Sequence, residues 1–375
     1  MGVLRTICAS LAMSFAAAGC SLTAPRLEAV PMPPIAPDSD YGKGVSALAA
    51  GCMHGMLVAA GGANFPDTPA AQGGKKRFYD EIYMLPEGSD TWALLGRLPE
   101  RTAYGAVFQL EDRIVIAGGA GPEGSQKRVT GLTLSSAECD DERCDGVKKT
   151  LPALEPLAPL PKPVEQAGAA HDGSRLYVVG GLSDGEPSTA VYCCDVASAN
   201  PRWEQVAEIP EPAVQPIAAI CGGRLYVWGG FDPVKRVASD RGRCLDNGVW
   251  REVDGLPDGG TAVGTTVVQQ ADGRLWAVGG VNREIFNRAL NLPPDKNAEY
   301  LSQPVGYYRF RPTVMTFDPA AERWTEAGTT AAAARAGAAV VLNGGRLTII
   351  GGEIKPGIRS AQVNAIALPT NTNMQ

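Results

Sequence analysis

A short apolar strand ending in Gly-Gly recurs six times along this chain, and that repetition limits the possible folds more than any other feature. The instances are Leu57-Val-Ala-Ala-Gly61-Gly62, Ile114-Val-Ile-Ala-Gly118-Gly119, Leu176-Tyr-Val-Val-Gly180-Gly181, Leu225-Tyr-Val-Trp-Gly229-Gly230, Leu275-Trp-Ala-Val-Gly279-Gly280 and Leu347-Thr-Ile-Ile-Gly351-Gly352. Successive first glycines lie 57, 62, 49, 50 and 72 residues apart. Periods of this length mark repeated supersecondary units, each needing its neighbours to bury its apolar faces. Most pairs follow an earlier strand of small apolar residues: 103–109, 167–170, 218–221, 265–268 and 336–342. Between the two strands lie Asp172-Gly173, Gly222-Gly223, Asp272-Gly273 and Asn343-Gly344, dipeptides suited to two-residue hairpin turns in which both positions need φ > 0. A third strand carries an aromatic and a Trp follows it, as in Tyr83 with Trp92, Tyr192 with Trp203 and Phe317 with Trp324. These side chains read as inter-blade core. Glycine makes up 45 of 375 residues, above the roughly 7% of ordinary chains, as a turn-rich all-β fold requires. The expectation is a six-bladed β-propeller with one four-stranded sheet per blade around a central channel.

A ring of blades must close. The last repeat supplies strands at 336–342, 347–350 and 362–368 but no fourth. The stretch 27–30, followed by Pro31, Pro33 and Pro34, resembles the outermost strands at 94–99 and 206–210. Residues near 26–31 are therefore expected to complete the final blade and protect its edge. The longest interval holds an insertion at 283–312, helix-like over Arg283–Leu290 and 295–301 and broken at Pro293-Pro294. An insertion this long is more often functional than ornamental.

Residues 1–19 read as a signal peptide: Arg5 begins a short positive region and an apolar stretch follows,. Ala17-Ala18-Gly19-Cys20 is similar to the lipobox of bacterial lipoproteins, which implies a lipidated Cys20. Ser21 after it suits the outer membrane, so the expected address is the periplasm, with membrane contact only through the anchor. The organisation expected is residues 20–38 as a lipidated segment carrying the closing strand, 39–368 as the propeller and 369–375 as a tail. Beyond Cys20 the mature chain holds Cys52, Cys139, Cys144, Cys193, Cys194, Cys221 and Cys244. Export favours pairing of some of these. Cys139 and Cys144 bracket a short acidic loop and are the expected bridge; adjacent Cys193 and Cys194 face opposite sides of a strand. Seven is odd, so at least one thiol stays unpaired.

Four stretches are more specific than the repeats. They are Gly61-Gly-Ala-Asn-Phe-Pro-Asp67 with Gly73-Gly-Lys-Lys-Arg-Phe-Tyr-Asp-Glu-Ile-Tyr83, Arg101-Thr-Ala-Tyr-Gly105, Gly279-Gly-Val-Asn-Arg-Glu-Ile-Phe-Asn287 and Gly351-Gly-Glu-Ile-Lys-Pro-Gly-Ile-Arg359. In these the chain resembles the cyclically permuted mutarotases, a family of Kelch-repeat propellers that includes bacterial N-acetylneuraminate epimerases. The resemblance implies an isomerase that interconverts the α and β anomers of N-acetylneuraminate or a related acidic sugar. By the same resemblance Glu353 is the general acid/base and Arg359 binds the substrate's carboxylate. Asn64, Arg101, Asn282, Arg283 and Asn287 line the same channel mouth.

The chemistry also stands on the residues alone. Anomer exchange needs a base for the anomeric hydroxyl and an acid for the ring oxygen, with no cofactor, and one tuned carboxyl plus a second polar group suffices. Glu353 stands after its Gly-Gly pair where the other repeats carry Ala63, Ala120, Leu182, Phe231 and Val281. Arginines 101, 283, 288 and 359 can gather positive potential at one mouth despite a net charge of −6,. The alternative is a non-catalytic propeller that binds glycan or protein there. A nucleic-acid surface is excluded by the lack of a basic stripe. Only His54 and His171 are present and there is no CxxC, which argues against a metal site,. Gly119-Ala-Gly-Pro-Glu-Gly124 and Gly181-Leu-Ser-Asp-Gly185 mimic dinucleotide and hydrolase motifs but lack the strand–turn–helix setting those need,.

Overall fold

The computed structural model describes residues 24–138 and 148–369. Six four-stranded antiparallel sheets follow one another along the chain. Blade 1 runs outward from the axis as Ala49–Met53, Met56–Ala60, Glu81–Leu85 and Ala93–Arg97. The innermost strands of blades 2 to 6 are Ala106–Gln109, Gly168–His171, Ile217–Cys221, Thr265–Gln269 and Ala339–Asn343. Each touches the innermost strands on both sides, blade 6 included, so the wheel is closed. In blade 6 the outermost place is taken by Ala29–Met32, antiparallel to Val363–Ala367 with Ala29 opposite Ile366 and Met32 opposite Val363. The N-terminal segment also meets blade 5: Leu27 N donates to Thr329 O at 2.8 Å and Thr329 N to Pro25 O at 2.9 Å.

There is no single core. The buried side chains form one cluster at each of the six blade junctions, and a seventh, with Tyr308 and Phe310, joins the insertion to the propeller. Between blades 4 and 5, for example, Tyr226, Trp228 and Cys244 pack against Met315, Phe317 and Trp324. Inner strands are covered on both faces, which is why Ile114–Ala117 is buried at every position and reads as a continuous apolar run,. The Gly-Gly pairs join blade to blade. Gly351 has φ +62, and a Cβ there would lie 2.3 Å from Val45 O. Gly352 N donates to that same carbonyl at 2.8 Å. The equivalent bonds run from Gly62 to Thr102, Gly119 to Val164, Gly181 to Ala213 and Gly280 to Arg335.

After the glycines, five blades carry a two-stranded ribbon, including Ala63–Asn64 with Arg77–Phe78 in blade 1 and Glu353–Lys355 with Ile358–Arg359 in blade 6. Blade 5 has the insertion instead: α1 (Arg283–Leu290), α2 (Asn297–Ser302) and α3 (Val305–Tyr308). Asn282 caps α1 by accepting from Ile285 N at 3.0 Å. The first helix has its expected bounds. The second starts later than residue 295, because Pro294–Lys296 forms a 3₁₀ turn first, and α3 was not expected.

Three local expectations change. Strands anticipated from 103 and 336 begin at Ala106 and Ala339, because Tyr104 and Gly337 turn the chain with φ 62 and 60. Of the four turn dipeptides, Gly222-Gly223 has both φ values positive as expected, whereas blade 6 turns on Gly344-Gly345, one residue later. The Asp172 and Asp272 loops are longer than two residues, and neither aspartate has positive φ. Among the described residues Cys52, Cys193, Cys194, Cys221 and Cys244 are all free, and three of them are buried, Cys194 in blade 3 and Cys221 and Cys244 in blade 4. Cys20, Cys139 and Cys144 lie outside the described residues.

Candidate functional site

One position in each blade shapes the mouth of the channel on the Gly-Gly side. Ala47, Tyr104, Gln166, Gln215, Gly264 and Gly337 each precede an innermost strand, and each has φ between 55 and 71. They bond to one another around the axis. Ala47 N donates to Gly337 O, Tyr104 N to Ala47 O, Gln166 N to Tyr104 O, Gln215 N to Gln166 O and Gly337 N to Gly264 O, all at 2.8–2.9 Å. The sixth link passes through a side chain: Gly264 N donates to Gln215 Oε1 at 3.0 Å. Gln215 Nε2 in turn donates to Gln166 Oε1 at 2.7 Å.

Above this ring lies a cavity of about 320 Å³ whose lining includes Lys76, Tyr104, Gln166, Gln215, Phe286 and Glu353. That is the low end of the roughly 300–1,000 Å³ of small-ligand sites. Three groups overhang it from different blades: Lys76 from the blade 1 ribbon, Phe286 from α1 and Glu353 from the blade 6 ribbon. Glu353 is fixed by its backbone, which exchanges two hydrogen bonds with Ala336 at 2.7 and 2.9 Å. Its side chain is 24% exposed and ion-paired to Arg359, whose side chain is only 3% exposed. Burial pushes the Glu353 carboxyl above its usual range, against the opposing pull of Arg359 and Lys76. The Arg359 guanidinium sits 5.0 Å from the Phe65 ring centre. Lys76 Nζ donates to the Tyr104 hydroxyl at 3.0 Å and stands 4.7 Å from that ring's centre.

The insertion roofs part of the mouth. Its helices touch blade 4 at Val237–Ala238, blade 6 at Glu353–Lys355 and blade 1 at Ala70–Gln72. Lys355 Nζ ties the end of α2 down by donating to Leu301 O at 3.2 Å and Gln303 O at 2.7 Å.

Of the residues singled out in the sequence, Glu353 and Arg359 meet at this mouth. The other five do not line the cavity, and their side chains have other partners or places. Asn64 is buried, donates to Asp40 O and Gly44 O at 2.8 and 2.9 Å, and accepts from Tyr79 Oη at 2.8 Å. Asn282 is occupied as the α1 cap. Asn287 Oδ1 accepts from Ala238 N at 2.7 Å, holding α1 to blade 4. Arg283 pairs with Asp240 beside a separate groove. Arg101 is exposed in another groove with Pro122–Val129 of blade 2. Lys76, Gln166, Gln215 and Phe286 went unread in the sequence, although a signal existed for the ring. Its members stand fourteen residues before the first glycine in five repeats and fifteen in the fifth. Among the described residues no three of His, Cys, Asp and Glu are grouped to hold a metal.

The family model described as N-acetylneuraminate epimerase matches residues 157–374. The N-acetylneuraminate epimerase of Shigella sonnei (strain Ss046) is 36% identical over 124 residues, covering 30% of this chain and 33% of that protein. That of Pasteurella multocida (strain Pm70) is 31% identical over 121 residues, covering 30% and 32%. The chain thus spans about a third of the length of these curated relatives. A solved structure, "Structure of YjhT", aligns over 56% of this chain and 64% of its own, with 28% identity and a TM-score of 0.49.

Proposed function

The chain belongs to the N-acetylneuraminate epimerase family, and from that premise we propose that it is a mutarotase acting on N-acetylneuraminate or a closely related acidic sugar. The observation that carries the reading is Glu353: a carboxyl raised in pKa by burial, backed by Arg359, at the edge of a monosaccharide-sized cavity. In this reading the Glu353 carboxylate takes the proton of the anomeric hydroxyl as the bond from the anomeric carbon to the ring oxygen breaks. The ring oxygen takes a proton from the Tyr104 hydroxyl, whose oxygen already accepts from Lys76. The carbonyl so formed turns its other face to the hydroxyl, and the same two transfers in reverse close the ring as the other anomer. A base whose pKa is drawn up toward the working pH is more effective in such transfers. Arg359, paired and buried, acts on Glu353 and holds its orientation.

Anomer exchange of N-acetylneuraminate followed by NMR tests the reading. Wild type is expected to raise the exchange rate above the buffer value, and Glu353→Gln to lose roughly 10²-fold or more of that gain. A wild-type rate equal to buffer would remove the activity; a fully active Gln variant would remove Glu353 from it. Export to the periplasm and lipidation at Cys20 belong to the same proposal and rest on the N-terminal sequence. Among the described residues no helix is long and apolar enough to cross a membrane.

A further inference from the structure

We infer that Lys76 is the cation that recognises the substrate's carboxylate, and so selects acidic over neutral sugars. The inference rests on the mutarotase reading of this site and deepens it. The charges of the elements bordering the mouth decide it by elimination. Arg359 is buried against Glu353. Arg77, beside Lys76 in the same ribbon, is paired with Asp40 and Asp67. On α1, Arg283 is paired with Asp240, and Arg288 is paired with Glu284 and lines a separate groove. Lys355 is spent on two carbonyls of the insertion. Lys76 alone among these lines the cavity as a cation with no carboxylate in ion-pair contact among the described residues. Its one hydrogen bond goes to a neutral phenol, and an ammonium has three donors to offer,.

The chemistry of the substrate class adds a requirement. In a sialic acid the carboxylate is borne by the anomeric carbon itself, so the group that binds it must stand beside the groups that move protons there. Lys76 meets this, since its ammonium contacts Tyr104 and shares the cavity with Glu353. The Tyr104 ring beneath the ammonium restrains the long side chain by a cation–π contact and leaves its remaining hydrogens free,.

Titration calorimetry with N-acetylneuraminate and with its methyl ester, which lacks the charge, reads the inference directly. Wild type should bind the acid about ten- to a hundredfold more tightly than the ester, the scale of a charge-assisted hydrogen bond. The preference should shrink as salt is added, because Lys76 is exposed,. Lys76→Met should abolish the preference and Lys76→Arg should keep most of it. Retention of the acid preference in Lys76→Met, or no preference in wild type, overturns the inference. Anomer exchange measured on the same wild-type sample keeps the two ideas apart: absent exchange with a Lys76-dependent preference sinks the mutarotase reading and leaves the recognition. Exchange with an unchanged preference in Lys76→Met does the reverse.

Discussion

Glu353 and Arg359 differ in one property that governs what happens when their pair is broken: a carboxyl can take up a proton, and a guanidinium cannot release one. Glu353→Leu leaves a permanent charge on a side chain that is 3% exposed, and should cost about 3 kcal/mol or more in urea denaturation at neutral pH. Arg359→Met should cost less, because Glu353 can go neutral. Its penalty has a definite sign with pH. The Glu353 carboxyl lies above its usual range even beside Arg359, and without that cation it rises further. Stability is then full below the ordinary carboxylate range and falls as pH climbs through the raised value. An Arg359→Met protein whose stability is flat across that window, or lower than that of Glu353→Leu, would count against the pairing. Side-chain fate at this scale was only partly legible in the sequence. Glu353 stood out because five repeats carry an apolar residue in its place. Asn64, Asn282 and Asn287 could not be sorted between ligand contact and capping, since the amide serves both uses and only the tertiary partners separate them.

At the scale of elements the sequence was most informative where local chemistry and packing agree. The Gly-Gly strands, the closing strand and α1 could be read because an apolar run, a final blade short of its fourth strand and a helix-like stretch after the fifth glycine pair each leave a pattern. What could not be read was set by contacts between blades: where Tyr104 and Gly337 bend the chain into an inner strand, and the roof position of α2 and α3. Two glycines separate these causes. Gly88→Ala adds a Cβ in open space at φ 72 and should cost only the left-handed backbone term of about 1 kcal/mol. Gly351→Ala carries a similar φ of 62 but drives its Cβ to 2.3 Å from Val45 O, across the seam between blades 6 and 1. It should therefore cost at least about 3 kcal/mol, with loss of the Gly352–Val45 bond,. Thermal and urea unfolding of the two variants measures the difference, and equal losses would show that the blade junction yields more easily than the geometry implies.

Over the whole molecule, six junction cores and a hydrogen-bonded ring make the mouth a rigid frame whose side chains are separable from it. Five of the six ring links use backbone only, so substitution at Ala47 leaves the frame's own bonds in place. Tyr104 occupies the equivalent place at φ 62 against 55 for Ala47, so a tyrosine can take up this backbone conformation. Ala47→Tyr should leave the melting temperature within a few degrees of wild type. By filling the cavity it should raise KM for the sugar at least about tenfold; an unchanged KM would place the sugar elsewhere. The ring is also unequal around its circumference. Blades 2, 3 and 4 contribute Tyr104, Gln166 and Gln215, whereas blades 5, 6 and 1 contribute Gly264, Gly337 and Ala47, and those same three blades send Phe286, Glu353 and Lys76 overhead. A wheel built from six near-copies has thereby lost its rotational ambiguity. A guest settling on the bare arc meets Tyr104 and two amides on one flank and Phe286, Glu353 and Lys76 above it, so a single azimuth brings it to both proton-moving groups at once.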